Sequence, residues 1–175
     1  MHTIYYLSQT FKIPAMKTLE ISAKITILSE LELTDDQKNV VEAAKKATLT
    51  SYSPYSHFSV GAACLLDNGE IISGSNQENA AYPSGICAER TTLFYAMARF
   101  PEAKVLKLAI ISRNKGRITP EVCTPCGACR QVILETEARG GQPIELLLCS
   151  DTEIYVVNGI SSLLPLGFNY DSLQK

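Results

Sequence analysis

The sequence predicts an α/β fold in three layers (α/β/α). Helices should pack on both faces of a central mixed five-stranded sheet, with one further strand supplied by an N-terminal extension. Three observations predict it. Strand-like and helix-like periods alternate through the second half of the chain, the pattern of layered α/β proteins. The chain has 175 residues, a length that suits one domain. No linker, repeat or low-complexity stretch divides it, so residues 34–175 are expected as a single domain behind an extension over residues 1–33.

Residues 1–16 have no clear period, and Met16 offers a second start site. From Thr18 to Leu28 the chain alternates: Leu19, Ile21, Ala23, Ile25 and Ile27 against Glu20, Ser22, Lys24 and Thr26. That reads as a half-buried edge strand over residues 18–28. Thr34-Asp35-Asp36-Gln37 is a capping box, with Thr34 as N-cap and Gln37 at the third helical position. Its two aspartates suit the positive end of a helix that runs to about Leu49 and buries Val40, Val41, Ala44 and Ala47. His57 to Leu66 reads as a strand. Asp67-Asn68-Gly69-Glu70 forms a tight turn, and Glu70 to Gly74 returns as its hairpin partner. Asn76 to Gly85 is a polar loop. A helix begins near Cys87 and ends about Arg99. Val105 to Ser112 is a buried strand. Pro125 precedes a helix over Cys126 to Ala138, which Gly140-Gly141 ends. Ile144 to Cys149 and Ile154 to Val157 supply the last strands.

Composition narrows the function. Apolar residues make up 46% and charged residues 19%, and the net charge is −2. No apolar run nears the ~18 residues that span a membrane. Met1 to Lys17 lacks the basic start and apolar run of a secretory leader, so a cytoplasmic protein is expected. The basic residues are scattered, with no stripe beyond Lys45-Lys46. A polynucleotide binder needs such a patch for phosphate contacts, so a small uncharged substrate fits better. Six cysteines without an export signal, three of them within seven residues, point to metal or catalysis rather than disulfides.

The chemistry gathers at Cys87-Ala88-Glu89-Arg90 and Pro125-Cys126-Gly127-Ala128-Cys129-Arg130. Three thiolates leave the fourth tetrahedral position of a zinc ion open, the mark of a catalytic site. Histidine- or cysteine-x-glutamate followed by proline-cysteine-x-x-cysteine is the zinc nucleobase deaminase signature, with the glutamate moving protons and not ligating. Cys87, Cys126 and Cys129 are therefore the candidate ligands and Glu89 the candidate catalytic group. Both helices should begin at the metal, where their N-termini lower thiol pKa values. Zinc with three thiolates is net negative, so Arg90 and Arg130 are candidates to hydrogen-bond sulfur and draw off charge. Glu89 lies two residues from Cys87, about 200° away on a regular helix, so the ion must sit over the helix end. Cys64 and Cys149, in apolar runs, read as inert core thiols. Cys123 keeps an alternative open: with Cys87, Cys126 and Cys129 it would close a structural four-cysteine site. His57 reads as a surface or hydrogen-bonding residue.

These residues resemble the small homotetrameric cytidine deaminases of the three-cysteine zinc type. The resemblance spans roughly residues 37–168. It rests on Ser53-Pro54-Tyr55-Ser56-His57-Phe58-Ser59-Val60-Gly61-Ala62-Ala63, Asn76-Gln77-Glu78-Asn79-Ala80-Ala81-Tyr82, the two cysteine blocks, and Leu163-Leu164-Pro165 with Phe168. It implies a cytidine deaminase-like fold, one Zn²⁺ per subunit and a homotetramer with shared active sites. It further implies hydrolysis of free cytidine or deoxycytidine, by water activated at the zinc, to the uracil nucleoside and ammonia, as in pyrimidine salvage. It gives Phe58 a place against the pyrimidine, Asn76 and Glu78 the ribose hydroxyls, and Ala88 a backbone contact to the base. Tyr82 and Phe168 would reach a neighbouring subunit's site. The residues before Thr34 and the pair Leu166-Gly167 depart from the family's pattern. Two alternatives stand beside this reading: a blasticidin S-type deaminase of the same fold, and a non-catalytic zinc-stabilised interaction domain. No nucleic acid or membrane partner is expected.

Overall fold

A computed structural model describes residues 16–173. Seven strands form one sheet in the order β1-β7-β6-β4-β2-β3, with the short β5 hydrogen-bonded to β4. In chain order they are β1 Thr26–Leu28, β2 Phe58–Leu66, β3 Ile71–Ser75, β4 Val105–Asn114, β5 Arg117–Ile118, β6 Glu145–Cys149 and β7 Ile154–Asn158. The helices are α1 Asp35–Ala47, α2 Ala88–Arg99 and α3 Gly127–Gly140. β4 and β6 run parallel and every other pair is antiparallel, which makes the sheet mixed as expected.

Strand parity sorts the core into two layers. On β2, Ala62, Cys64 and Leu66 join Leu108, Ile110, Leu146 and Leu148 beneath α2 and α3. Ala63 and Leu65 face the other way with Ala109, Ile111, Leu147 and Cys149, against Val40, Val41 and Ala44 of α1. Successive strand residues point to opposite faces, and in the central strands both faces are buried, so these strands read as continuous apolar runs. The backbones of α1 and β2 touch at Gly61, where a Cβ would lie 2.1 Å from the Ala44 carbonyl oxygen.

The local signals produce the structure they predict. Thr34 accepts from the Gln37 N–H at 3.4 Å, and the Gln37 side chain accepts from the Thr34 N–H at 2.9 Å. Gly69 turns the β2–β3 hairpin at φ 86°, and Gly141 ends α3 in the left-handed region at φ 66°.

Two expectations need correction. The alternation over residues 18–28 yields only three paired residues, Thr26–Leu28, opposite Ile154–Val156 of β7. β7 ends at Asn158, and Gly159 at φ 83° turns the chain away, so residues before about Lys24 run past the end of β7 and pair with no strand among the described residues. β4 also runs on to Asn114 and folds back through Lys115 and Gly116, both at positive φ, to add β5. The charged residues Arg113, Lys115 and Arg117 hid that hairpin. Among the described residues, no helix is long and apolar enough to cross a membrane.

Candidate active site

The N-termini of α2 and α3 carry the chemistry. Cys87 is the N-cap of α2 and Cys126 the N-cap of α3, both with extended backbone angles, while Cys129 lies buried in the first turn of α3. Because Cys87 precedes the helix, the 200° divergence between it and Glu89 does not arise. The three sulfurs lie within 4.8 Å of one another. The Cys87–Cys126 separation is 3.9 Å and the Cys126–Cys129 separation 3.5 Å. Zinc–sulfur bonds of about 2.3 Å at tetrahedral angles set sulfurs about 3.8 Å apart, so the donor set fits a zinc ion. Cys123 stands outside the group, its N–H donating to the Cys149 carbonyl at 3.1 Å. Burial pushes its thiol up to about 11, and those of Cys64 and Cys149 to about 12.

Hydrogen bonding from the Cys129 thiol and then from Arg90 brings Cys87 down to about 5, against a rise from burial. Cys129 is pushed upward in turn, by its hydrogen bond to Cys87 and by burial. The Arg90 Nη2 approaches the Cys87 sulfur at 3.9 Å. Among the described residues, Arg90 Nε is the buried side-chain nitrogen without a partner. A full set of thiolates would give that donor a negative neighbour. Arg130 does something other than bond sulfur. Its Nε donates to the Pro125 carbonyl at 2.9 Å and its Nη1 to the Leu163 carbonyl at 2.7 Å. It fixes the loop ahead of Cys126 to the C-terminal segment.

Glu89 is only 4% exposed on the first turn of α2, and burial, with the neighbouring Cys87 charge, raises its carboxyl pKa. Ala88 is fully buried beside it. A cleft of about 540 Å³ meets the cluster at Cys87 and Arg90, its lining also including Tyr55, Asn76, Glu78 and Tyr82; Glu89, Cys126 and Cys129 lie outside that lining. Glu78 Oε2 accepts from the Tyr55 and Ser56 amides at 2.9 and 3.3 Å. The Ser56 hydroxyl first, then those amides, holds its carboxyl below the usual range, and both amide bonds fall on the one oxygen, Oε2.

Asn76 is committed more deeply. Its Oδ1 accepts from the Val60 N–H at 2.8 Å and the Ser51 hydroxyl at 2.6 Å, and its Nδ2 donates to the Phe58 carbonyl at 2.9 Å. One N–H remains for a ligand. Phe58 is half-buried at the start of β2, outside the cleft lining but tied to it through Asn76. Tyr82 is exposed at the rim, edge-on to Tyr55 with centroids 6.1 Å apart. Phe168 is exposed and away from the lining; Gln131 holds its carbonyl at 2.7 Å. Tyr55 and Ile86 also line the cleft, although the sequence singles out neither. Tyr55 lies in a motif whose signal is carried by Phe58, and Ile86 has the pattern of ordinary core.

The family profile of the cytidine and deoxycytidylate deaminase zinc-binding region matches residues 34–140. The chain belongs to the cytidine deaminase family. A cytidine deaminase of Halalkalibacterium halodurans is 35% identical over 148 residues, covering 79% of this chain and 98% of its own. That of Sporosarcina psychrophila is 39% identical over 140 residues, covering 79% and 96%. The crystal structure of cytidine deaminase from Burkholderia pseudomallei has a TM-score of 0.64 at 36% identity and covers 78% of this chain and all of its own. The chain therefore has the cytidine deaminase-like fold and is a zinc-dependent hydrolase of that family.

Proposed function

We propose that this chain hydrolyses free cytidine or deoxycytidine to the corresponding uracil nucleoside and ammonia. The observation that carries the reading is three sulfurs within 4.8 Å of one another at the start of two helices, with the buried Glu89 beside them. Cys87, Cys126 and Cys129 would hold one zinc ion per subunit. Bound there, zinc would lower the pKa of a water from 15.7 in bulk toward ~7.

Glu89 then manages the protons. It accepts one from the attacking water and delivers it to ring N3, which makes C4 electrophilic. Oxygen bonds to C4, Glu89 takes the remaining proton from that oxygen and passes it to the amino group, and the C4–N bond breaks to release ammonia and leave the C4 carbonyl. One carboxylate serves as acceptor and donor, and its raised pKa suits both tasks. Glu78 accepts from a ribose hydroxyl, and Asn76 contributes its one remaining N–H. Phe58 packs against the base, and the Ala88 backbone holds its edge. Arg90 moderates the charge of the thiolates, while Arg130 keeps Cys126 in position.

Several further points belong to the same reading. Residues 34–175 form the catalytic domain and residues 1–33 its extension. The enzyme works in the cytoplasm in pyrimidine salvage. Exposed Tyr82, Phe168, Phe94 and Tyr95 support a homotetramer in which neighbours complete each pocket. Metal analysis of the purified protein, with ultraviolet assays on cytidine, deoxycytidine and blasticidin S, tests the proposal. One zinc per chain and turnover of the nucleosides are expected. Turnover of blasticidin S alone, or no ammonia from any of the three, would overturn it.

A further inference from the structure

We infer that residues 17–27 of two copies of this chain pair as antiparallel strands about a two-fold axis through Ser22. Among the described residues β1 is an edge strand, with β7 on one side and no strand on the other. Residues 16–25 lie outside every strand pairing and are exposed. Yet their alternation is that of a strand with one covered face. Leu19, Ile21, Ile25 and Ile27 are between 42% and 74% exposed. An exposed apolar edge with free backbone groups is a template for another strand.

The sequence selects the partner, direction and register. Antiparallel pairing about Ser22 sets Glu20 opposite Lys24 of the second copy, and Lys24 opposite its Glu20. The same register sets Leu19 against Ile25 and Ile21 against Ala23 on the apolar face. Lys17 falls against Ile27, where its aliphatic stem can lie along the branched side chain. Shifting by one residue opposes apolar to polar positions throughout. Shifting by two in either direction keeps the faces but parts the charges. Parallel in-register pairing sets Glu20 on Glu20 and Lys24 on Lys24, which repels. Neither Glu20 nor Lys24 has an ion-pair partner among the described residues. The charge pattern is thus self-complementary in one arrangement, the mark of an isologous contact.

This contact is independent of the catalytic reading, since none of its residues lines the cleft. The test uses the full zinc-loaded chain in sedimentation equilibrium. E20K and K24E should each weaken one step of self-association about tenfold, because two cross-strand attractions become repulsions. The assembly mass should fall by half at a fixed low concentration. The double variant E20K/K24E should restore the wild-type assembly. Ser22→Cys should form a disulfide between the introduced thiols of the two copies under mild oxidation, mapped by mass spectrometry, since directly opposed strand residues lie within disulfide reach. Thr26→Cys, opposite Thr18, should not link to itself. Association unmoved by both single reversals overturns the inference. So does a double variant as weak as the singles, or a Ser22→Cys protein that associates without the cross-link. Because the strand contact lies outside the cleft and joins assemblies whose pocket-completing contacts stay intact, the two charge reversals and their combination should turn over substrate at the wild-type rate per subunit.

Discussion

Replacing Asn76 by alanine tests what that side chain does. It makes three hydrogen bonds, to the Val60 N–H, the Ser51 hydroxyl and the Phe58 carbonyl, at 2.8, 2.6 and 2.9 Å. Two of those partners are backbone groups at the entry of β2, where Asn76 substitutes for a missing strand neighbour. At about 1 kcal/mol net for each bond, the loss is about 3 kcal/mol. That is a large share of the ~5–15 kcal/mol that holds a domain folded. For a chain of this size it corresponds to a fall in Tm of roughly 6–12 °C. Urea denaturation of the zinc-loaded protein, followed by circular dichroism, measures it. Asn76→Asp should also destabilise, because it keeps the two accepted bonds but turns a carboxylate oxygen toward the Phe58 carbonyl. If Asn76→Ala unfolds within about 0.5 kcal/mol of wild type while turnover collapses, Asn76 acts on substrate alone and the reasoning fails.

Glu89→Gln should retain zinc by elemental analysis and lose about 10²–10⁴ in kcat, the usual worth of a positioned proton carrier. Cys126→Ala should lose bound zinc, and Arg90→Ala should weaken zinc affinity about 10–100-fold in a chelator competition. Gly61→Ala forces a Cβ onto the Ala44 carbonyl oxygen and should cost about 1–3 kcal/mol or more in urea unfolding, with activity per folded molecule unchanged. Glu137 accepts from the Ile144 and Ile160 amides at 2.9 Å each, but burial outweighs those bonds and raises its pKa. A carboxyl raised on folding favours the folded state below the unfolded pKa, and that advantage is lost as pH rises through the folded one. Wild type should therefore lose stability relative to Glu137→Gln as pH rises upward from the ordinary carboxyl range, read by paired urea melts in acid and at neutrality.

Much of the fold and the site was legible in the chain because the signals were local. Thr34 and Gln37 mark a helix start whatever surrounds them, and the Cys126–Cys129 spacing needs only one helix end to bring its sulfurs together. The wide apolar runs over Val105–Ser112 and Ile144–Cys149 fit central strands that bury both faces. What escaped depends on distant partners. Nothing near Lys24 says that β7 turns off at Gly159. Nothing around Arg130 says that the Leu163 carbonyl will lie within its reach, or around Asn76 that Phe58 and Val60 will occupy its amide. The β5 hairpin escaped because its strands are charged and pair at the rim rather than in the core.

The thiolate donors are split between two helices, Cys87 ahead of α2 and Cys126 with Cys129 on α3. No single crossover can keep the cation alone. The rate at which a strong chelator strips the protein, measured at chelator saturation, thus clocks how often those two helix ends part. Each variant that loosens either docking surface should leave its mark on that clock well before the molecule as a whole comes undone.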